Sequence, residues 1–139
     1  MIKAVIFDCF GVVLSVYSER NDDMIDLVRS LRGSYKTGML SNVSSRATLD
    51  GLFHKNELVE LFDEVIASGD VGLEKPDQGI YELAVHQLGV RPEECLFIDD
   101  INEYCSAAQR VGMQAIHCTD TREAITAIKN KLEEQNHGR

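Results

Sequence analysis

The sequence has few basic residues and no long hydrophobic run, and each absence excludes a class of function. Lys and Arg together number 14 against 23 Asp and Glu, which gives a formal net charge of -9 at pH 7. A chain of this charge repels polyphosphate backbones and anionic membrane surfaces, so we expect neither nucleic-acid binding nor membrane binding. No apolar stretch approaches the ~20 residues that cross a bilayer, and the start at Met1 has no signal-peptide layout. We therefore expect a cytoplasmic protein.

Paired cysteines, internal repeats and flexible linkers are also lacking. The cysteines present are Cys9, Cys95, Cys105 and Cys118. They form no Cys-x-x-Cys pair and each lies in or beside an apolar segment, which is typical of buried free thiols rather than of zinc ligands or disulfides. No Pro-, Ser- or Gly-rich stretch divides the chain. Because 44% of its 139 residues are apolar, we expect a single domain over residues 1–139, disordered only in the tail 133–139.

Five short apolar runs predict the strands of a parallel sheet. They cover residues 4–7, 38–40, 65–67, 96–98 and 115–116. Uninterrupted apolar runs of this length suit strands that are covered on both faces. Apolar residues at helical spacing fill the intervals between them, as at Met24, Leu27, Val28 and Leu31. The alternation predicts an α/β fold of three layers with right-handed βαβ connections.

Polar side chains follow several of these runs, where ligand sites of open α/β sheets lie. Asp8 follows the first run and is a candidate nucleophile or metal ligand, with a loop-capping role as the alternative. Ser41 and Asn42 follow the second run, and their hydroxyl and amide groups are able to bind an oxyanion. Lys75 precedes Pro76, which is placed to open the next helix and so to put a cation beside a phosphoryl group.

Asp99 and Asp100 directly follow the fourth run. Two adjacent carboxylates repel each other unless a cation or hydrogen bonds hold them. A hard divalent ion, Mg²⁺ above all, fits such a group of oxygen ligands. The alternative for Asp100 is a role as N-cap of the following helix. The four histidines share no metal-ligand spacing and receive no role, and Tyr17 is interpreted as a packing or surface residue.

In order and spacing, Asp8, Ser41, Lys75 and the Asp99/Asp100 pair resemble the four motifs of the haloacid dehalogenase-like (HAD) superfamily of hydrolases. The resemblance implies a Rossmann-like core, with a central parallel sheet of about five strands and helices on both faces. It also implies a Mg²⁺-dependent phosphohydrolase in which Asp8 attacks phosphorus and forms an aspartyl-phosphate.

The resemblance further implies a role for each motif residue. The Mg²⁺ ligands would be the Asp8 carboxylate, the main-chain carbonyl of Phe10, and the Asp100 carboxylate, with Asp99 assisting directly or through water. Ser41 and Lys75 would be the catalytic groups that hold the phosphoryl oxygens.

Two features depart from the family's pattern. Its phosphatases usually carry a second Asp two residues after the nucleophile, as general acid and base, and here that residue is Phe10. Losing a positioned acid or base typically costs about 10² to 10⁴ in rate. The family's dehalogenases also lack a carboxylate there, but they lack the acidic pair that this chain has at Asp99 and Asp100.

The second departure is the absence of a cap domain. In the related branch a helical cap is inserted after the first motif, whereas here only residues 15–22 separate a turn at 11–14 from the next helix. That length suffices for a β-hairpin flap. An uncapped site is open to water, so we expect a macromolecular substrate, an oligomer or partner that serves as lid, or no turnover.

Three functions stay open from the sequence. The first is a phosphohydrolase that acts on phosphorylated small molecules or macromolecules with good leaving groups. The second is a non-catalytic HAD-like binding or regulatory module, which Phe10 and the missing cap favour. The third is a haloacid dehalogenase-type hydrolase.

Overall fold

The computed structural model describes the main chain of residues 1–137 and the side chains of residues 1–134. Its sheet has five strands, β1 Ala4–Phe7, β2 Lys36–Ser41, β3 Glu64–Ala67, β4 Cys95–Asp99 and β5 Gln114–His117. All neighbours pair in parallel, in the order β3-β2-β1-β4-β5. The chain therefore builds one half of the sheet outward from β1 and then returns to build the other half from β4. A crevice at such a switch point is where open α/β sheets bind ligands.

Seven helices are present among the described residues: α1 Asp22–Leu31, α2 Arg46–Asp50, α3 Glu57–Leu61, α4 Ser68–Val71, α5 Gln78–Leu88, α6 Asn102–Arg110 and α7 Thr121–His137. Helices α1, α2, α3 and α7 contribute to a hydrophobic cluster on one face of the sheet. Helices α5 and α6 contribute to a second cluster on the other face. The predicted three-layer α/β fold is confirmed. None of the described helices combines the length and apolar character that a bilayer crossing requires.

One detail corrects a sequence-based expectation. Helix α5 begins at Gln78 rather than at Pro76, because Asp77 is extended and its N–H donates to the Glu74 carbonyl, which closes a turn before the helix. Helix α7 continues to His137 through a run of good helix formers and so enters the tail 133–139, whose disorder stays a prediction. Residues 138 and 139 lie outside the described residues. All four cysteines are buried, as predicted.

Residues 8–21 connect β1 to α1 through a turn and a β-hairpin. Gly11, with a φ of +90°, makes the turn and donates its N–H to the Leu14 carbonyl at 2.7 Å. Leu14 then pairs antiparallel with Arg20. Residues 16–18 form the tip of this hairpin, and the described chain has no helical insertion between β1 and α1.

The base of the hairpin is held by two helices. The Arg20 guanidinium donates two hydrogen bonds, of 2.7 and 2.8 Å, to the carboxylate of Glu57 at the start of α3. The Asn21 amide donates to Thr121 at the start of α7 and to the Val12 carbonyl, both at 2.9 Å. The hairpin is thus anchored to two helices at its base, and the main chain of its tip is held by hydrogen bonds to Ser15.

Replacing Glu57 tests the first of these anchors. Glu57 is 4% exposed, and the hydrogen bonds from Arg20 lower its pKa in the folded state. The free energy of unfolding of Glu57→Gln should therefore fall by about 1–2 kcal/mol at pH 7. Because the folded pKa lies below the unfolded one, this difference should vanish as the pH falls and Glu57 becomes protonated.

Urea denaturation at pH 7 and near pH 3 measures both effects. Glu60→Gln, an exposed change on the same helix, is the matched control and should stay within about 0.5 kcal/mol of wild type. A difference between Glu57→Gln and wild type that persists in acid would contradict the prediction.

Candidate active site

A buried lysine joins the ends of β1 and β4. The Lys75 ammonium donates to Asp8 Oδ1 and to Asp99 Oδ2, and both distances are 2.8 Å. Lys75 is 2% exposed and Asp99 is fully buried. A lysine is almost never this deeply buried unless carboxylates pair with it. Lys75 is therefore not a solvated surface lysine.

Burial sets the electrostatics of this group. It raises the pKa of Asp8 to about 7, although Lys75 opposes the rise. Burial also raises the pKa of Asp99, and Lys75 again opposes the rise. For Lys75, burial alone would lower the pKa, but the two carboxylates raise it overall. Lys75 is therefore a fixed cation between two carboxylates, and burial disfavours the ionised form of each carboxylate. A second cation here would favour the ionised form of Asp8.

Asn42 holds the main chain of Lys75. Its amide oxygen accepts from the Lys75 N–H at 2.9 Å, and its amide nitrogen donates to the Lys75 carbonyl at 3.0 Å. The same nitrogen lies 3.4 Å from the Tyr104 hydroxyl, and the Tyr104 ring centroid lies 5.2 Å from the Lys75 ammonium. The Asn42 side chain thus positions Lys75, and its contact with substrate stays a prediction. Ser41 is buried at the end of β2.

Asp100 completes a cluster of oxygen ligands. One carboxylate oxygen from each of Asp8, Asp99 and Asp100 lies within 4.8 Å of the others. Asp100 Oδ1 is buried without a hydrogen-bond partner, which is costly unless a cation binds it. An all-carboxylate donor set of this kind fits Mg²⁺. The N-cap of α6 is Ile101, so the alternative role of Asp100 as that cap is wrong.

Phe10 lies where the phosphatases of the resembled family carry a second Asp. Its side chain is partly buried and packs against the hydrophobic cluster of the α1 face. The aromatic ring has no proton to donate, so this position supplies neither an acid nor a base. Metal binding by its main-chain carbonyl stays a prediction.

Two residues that position Asp100 were not identified from the sequence. The His117 ring nitrogen Nε2 lies 2.9 Å from the Asp100 carbonyl, and since a carbonyl only accepts, Nε2 carries the proton. His117 ends β5, so the rule that selected Asp8 and Asp99 also selects it. Gly11 lies directly against the Asp100 carboxylate, which a Cβ atom at Gly11 would overlap.

Gly11→Ala should therefore displace the Asp100 carboxylate and weaken Mg²⁺ binding by about 10- to 100-fold. Isothermal titration calorimetry with MgCl₂ measures this directly. Gly33→Ala is the matched control, because Gly33 has a similar φ of +94° and nothing within 4 Å of its added Cβ. Equal losses of Mg²⁺ affinity in the two variants would assign the effect to backbone strain and contradict the prediction.

Comparisons with known proteins show the family of this chain. The model of the haloacid dehalogenase-like hydrolase family matches residues 16–112, a segment that begins after Asp8 and Phe10. A Mycobacterium tuberculosis phosphatase is 35% identical over 89 residues, which cover 64% of this chain and 41% of that protein. A sesquiterpene phosphatase of Aspergillus oryzae is 34% identical over 99 residues, which cover 70% of this chain and 50% of that protein. The chain thus spans about half the length of these curated relatives.

A solved structure supports the fold. A HAD family enzyme of Bacteroides thetaiotaomicron, crystallised in complex with magnesium and inorganic phosphate, superposes with a TM-score of 0.73 at 16% identity. The alignment covers 84% of this chain and 93% of that chain. The family model matches residues 16–112, which are more than half of this chain, and the solved structure shares its fold. This chain therefore belongs to the haloacid dehalogenase-like hydrolase family.

Proposed function

We propose that this protein is a Mg²⁺-dependent phosphohydrolase that forms an aspartyl-phosphate on Asp8. The observation that carries the proposal is the buried Lys75 held between Asp8 and Asp99, beside the unpartnered carboxylate oxygen of Asp100. A dehalogenase reaction through Asp8 has no use for a third carboxylate in this position. Two of the matched relatives are named phosphatases, which supports the same reaction class.

The reaction has two displacement steps at phosphorus. In the first, a carboxylate oxygen of Asp8 bonds to phosphorus while the bond to the leaving-group oxygen breaks and the leaving group departs with the electron pair. In the second, water bonds to phosphorus, the bond to Asp8 breaks, and the water proton passes to solvent. The products are inorganic phosphate and the free Asp8 carboxylate.

The residues around Asp8 stabilise charge rather than move protons. Lys75 is a preorganised cation that would bind the phosphoryl oxygens, and Ser41, at the end of β2, would hydrogen-bond one of them. Asp8, Asp99, Asp100 and the Phe10 carbonyl would hold the Mg²⁺. When bound, Mg²⁺ supplies further neutralisation of phosphoryl charge.

Phe10 restricts the leaving group. Without a proton donor two residues after Asp8, the leaving group departs as an anion, so good leaving groups such as carboxylates and phenolates react best. Acyl phosphates, phosphoanhydrides and aryl phosphates are therefore the expected substrates. These substrates would reach Asp8 at the carboxyl edge of the sheet as small molecules or as phosphorylated groups of a macromolecule. An oligomer or partner that covers this edge would serve as lid.

The test is hydrolysis of acetyl phosphate in Mg²⁺ and in chelator, for wild type and Asp8→Asn. Removing the nucleophile should lower kcat by about 10⁴-fold or more, and chelator should abolish turnover. Asp23→Asn, an exposed change on α1, is the control and should retain wild-type activity. Halide release from a haloacid that persists in chelator would instead favour a dehalogenase.

A second candidate function is a non-catalytic module that binds Mg²⁺ or a phosphorylated ligand. Phe10 is the observation that favours it, since the position has lost its proton-transfer group. A folded protein that binds Mg²⁺ in calorimetry but hydrolyses no phosphate ester or acyl phosphate would establish this function in place of the first.

A further inference from the structure

We propose that the aromatic ring of Tyr104 positions the Lys75 ammonium for phosphoryl transfer. Tyr104 is the third residue of α6 and is half-buried. The inference rests on the proposed phosphohydrolase function and adds to it a positioning residue, which acts on the substrate only through Lys75.

Two aromatic rings lie beside the ammonium. The Lys75 Nζ atom lies over the Tyr104 ring, 5.2 Å from its centroid, and 5.7 Å from the centroid of the Phe97 ring. A cation within about 6 Å of a ring centroid is attracted to the ring face, most strongly where water is excluded. Lys75 is 2% exposed, so water weakens this attraction little. The rings therefore help to hold the ammonium at the ends of β1 and β4.

The hydrogen bonds of Lys75 leave one N–H for the substrate. An ammonium group has three N–H donors, and two of them bind Asp8 and Asp99. Within the described part of the chain, the ammonium has no third hydrogen-bond acceptor. A ring face attracts the charge without offering a carbonyl or carboxylate oxygen. The third N–H is therefore available to a phosphoryl oxygen.

Formation of the aspartyl-phosphate makes the ring more important. When Asp8 bonds to phosphorus, its carboxylate loses its negative charge, so Lys75 keeps only Asp99 as an ionic partner in the protein. The Tyr104 ring is unchanged by the reaction and continues to attract the ammonium. Tyr104 should therefore stabilise the transition state more than the bound substrate, and loss of its ring should lower kcat more than it changes KM.

Tyr104 is itself held by buried neighbours. Its main-chain carbonyl accepts a hydrogen bond of 2.9 Å from the Tyr81 hydroxyl. Tyr81 is fully buried, and its ring packs edge-on against Phe97 with 5.5 Å between the centroids. The Tyr104 hydroxyl lies 3.4 Å from the Asn42 amide nitrogen, which is long for a hydrogen bond. The fixed ring, rather than this weak hydroxyl contact, is therefore the part of Tyr104 that acts on Lys75.

Steady-state kinetics with acetyl phosphate and Mg²⁺ separate the ring from the hydroxyl. Tyr104→Leu removes the ring and should lower kcat by about 10-fold, with KM changed by no more than about 2-fold. Tyr104→Phe keeps the ring and should retain the wild-type kcat. Tyr35→Leu is the matched control and should also retain it, because Tyr35 is another half-buried tyrosine and precedes β2, at the opposite edge of the sheet from Lys75.

The NMR signal of the Lys75 ammonium supplies a readout that does not depend on activity. In protein labelled with ¹³C and ¹⁵N, this signal is assigned through the lysine side chain. Because a ring face shields the protons above it, the ammonium protons should move downfield in Tyr104→Leu. They should stay near their wild-type position in Tyr104→Phe and in Tyr35→Leu.

The outcomes separate this inference from the proposed function. An unchanged ammonium signal or an unchanged kcat in Tyr104→Leu would overturn the inference and leave the proposed function standing. An equal loss of kcat in Tyr104→Phe or in Tyr35→Leu would do the same, since neither variant removes the Tyr104 ring. An absence of turnover in wild type would refute both.

Discussion

Phe10→Asp is expected to raise the rate of hydrolysis of alkyl phosphates by about 10² to 10⁴-fold. An alkoxide is a poor leaving group, so its departure depends on a proton that Phe10 cannot supply. The proposed nucleophile Asp8, the cation Lys75 and the Asp99 carboxylate are already in place. The rate for acetyl phosphate should change much less, because acetate leaves without a proton. Steady-state kinetics with glycerol phosphate and acetyl phosphate measure both rates.

Phe10→Asn is the matched control. Asparagine has the size and polarity of aspartate and loses the same packing against the hydrophobic cluster, but it transfers no proton. A gain in Phe10→Asp that Phe10→Asn lacks assigns the effect to acid–base catalysis. No gain in a folded Phe10→Asp that still binds Mg²⁺ would favour the non-catalytic module.

Lys75→Met should lower the free energy of unfolding by about 3–5 kcal/mol at neutral pH without Mg²⁺. Methionine fills a similar volume, but Asp8 and Asp99 are then buried without their common cation. Two changes of solution conditions should restore part of the stability of Lys75→Met. Added Mg²⁺ replaces the lost cation, and acid protonates the carboxylates, so the deficit relative to wild type should shrink as the pH falls.

Denaturation at neutral and acidic pH, with and without Mg²⁺, measures these effects. Lys55→Met removes an exposed lysine and should change the free energy of unfolding by no more than about 0.5 kcal/mol. A Lys75→Met protein as stable as wild type at neutral pH in chelator would contradict the account of Lys75 as the cation that both carboxylates require.

The carboxylates of the site could be predicted because they depend on local pattern and on one rule of sheets. Asp8 and Asp99 each end an apolar run, and parallel strands bring their carboxyl ends to the same edge. The burial of Lys75 could not be predicted in this way. A lone lysine is ordinarily exposed, and only its pairing with two carboxylates distant in sequence reverses that preference.

The positioning roles of Asn42 and His117 were not predicted, for a related reason. Asn42 binds the main chain of Lys75, and His117 binds the carbonyl of Asp100. Each contact joins two segments that are adjacent only after the strands have paired. A polar side chain at the end of a strand has several available partners, and the sequence does not distinguish a substrate from the main chain of a neighbouring loop.

The exposed tip of the hairpin, above its anchored base, has a consequence for engineering. Foreign residues are tolerated best at exposed loop tips whose main chain carries few structural hydrogen bonds. The antiparallel pair Leu14–Arg20 closes the hairpin below residues 16–18, so a guest domain inserted there would leave the reaction centre intact. New recognition domains can therefore be inserted into this protein at one loop, residues 16–18.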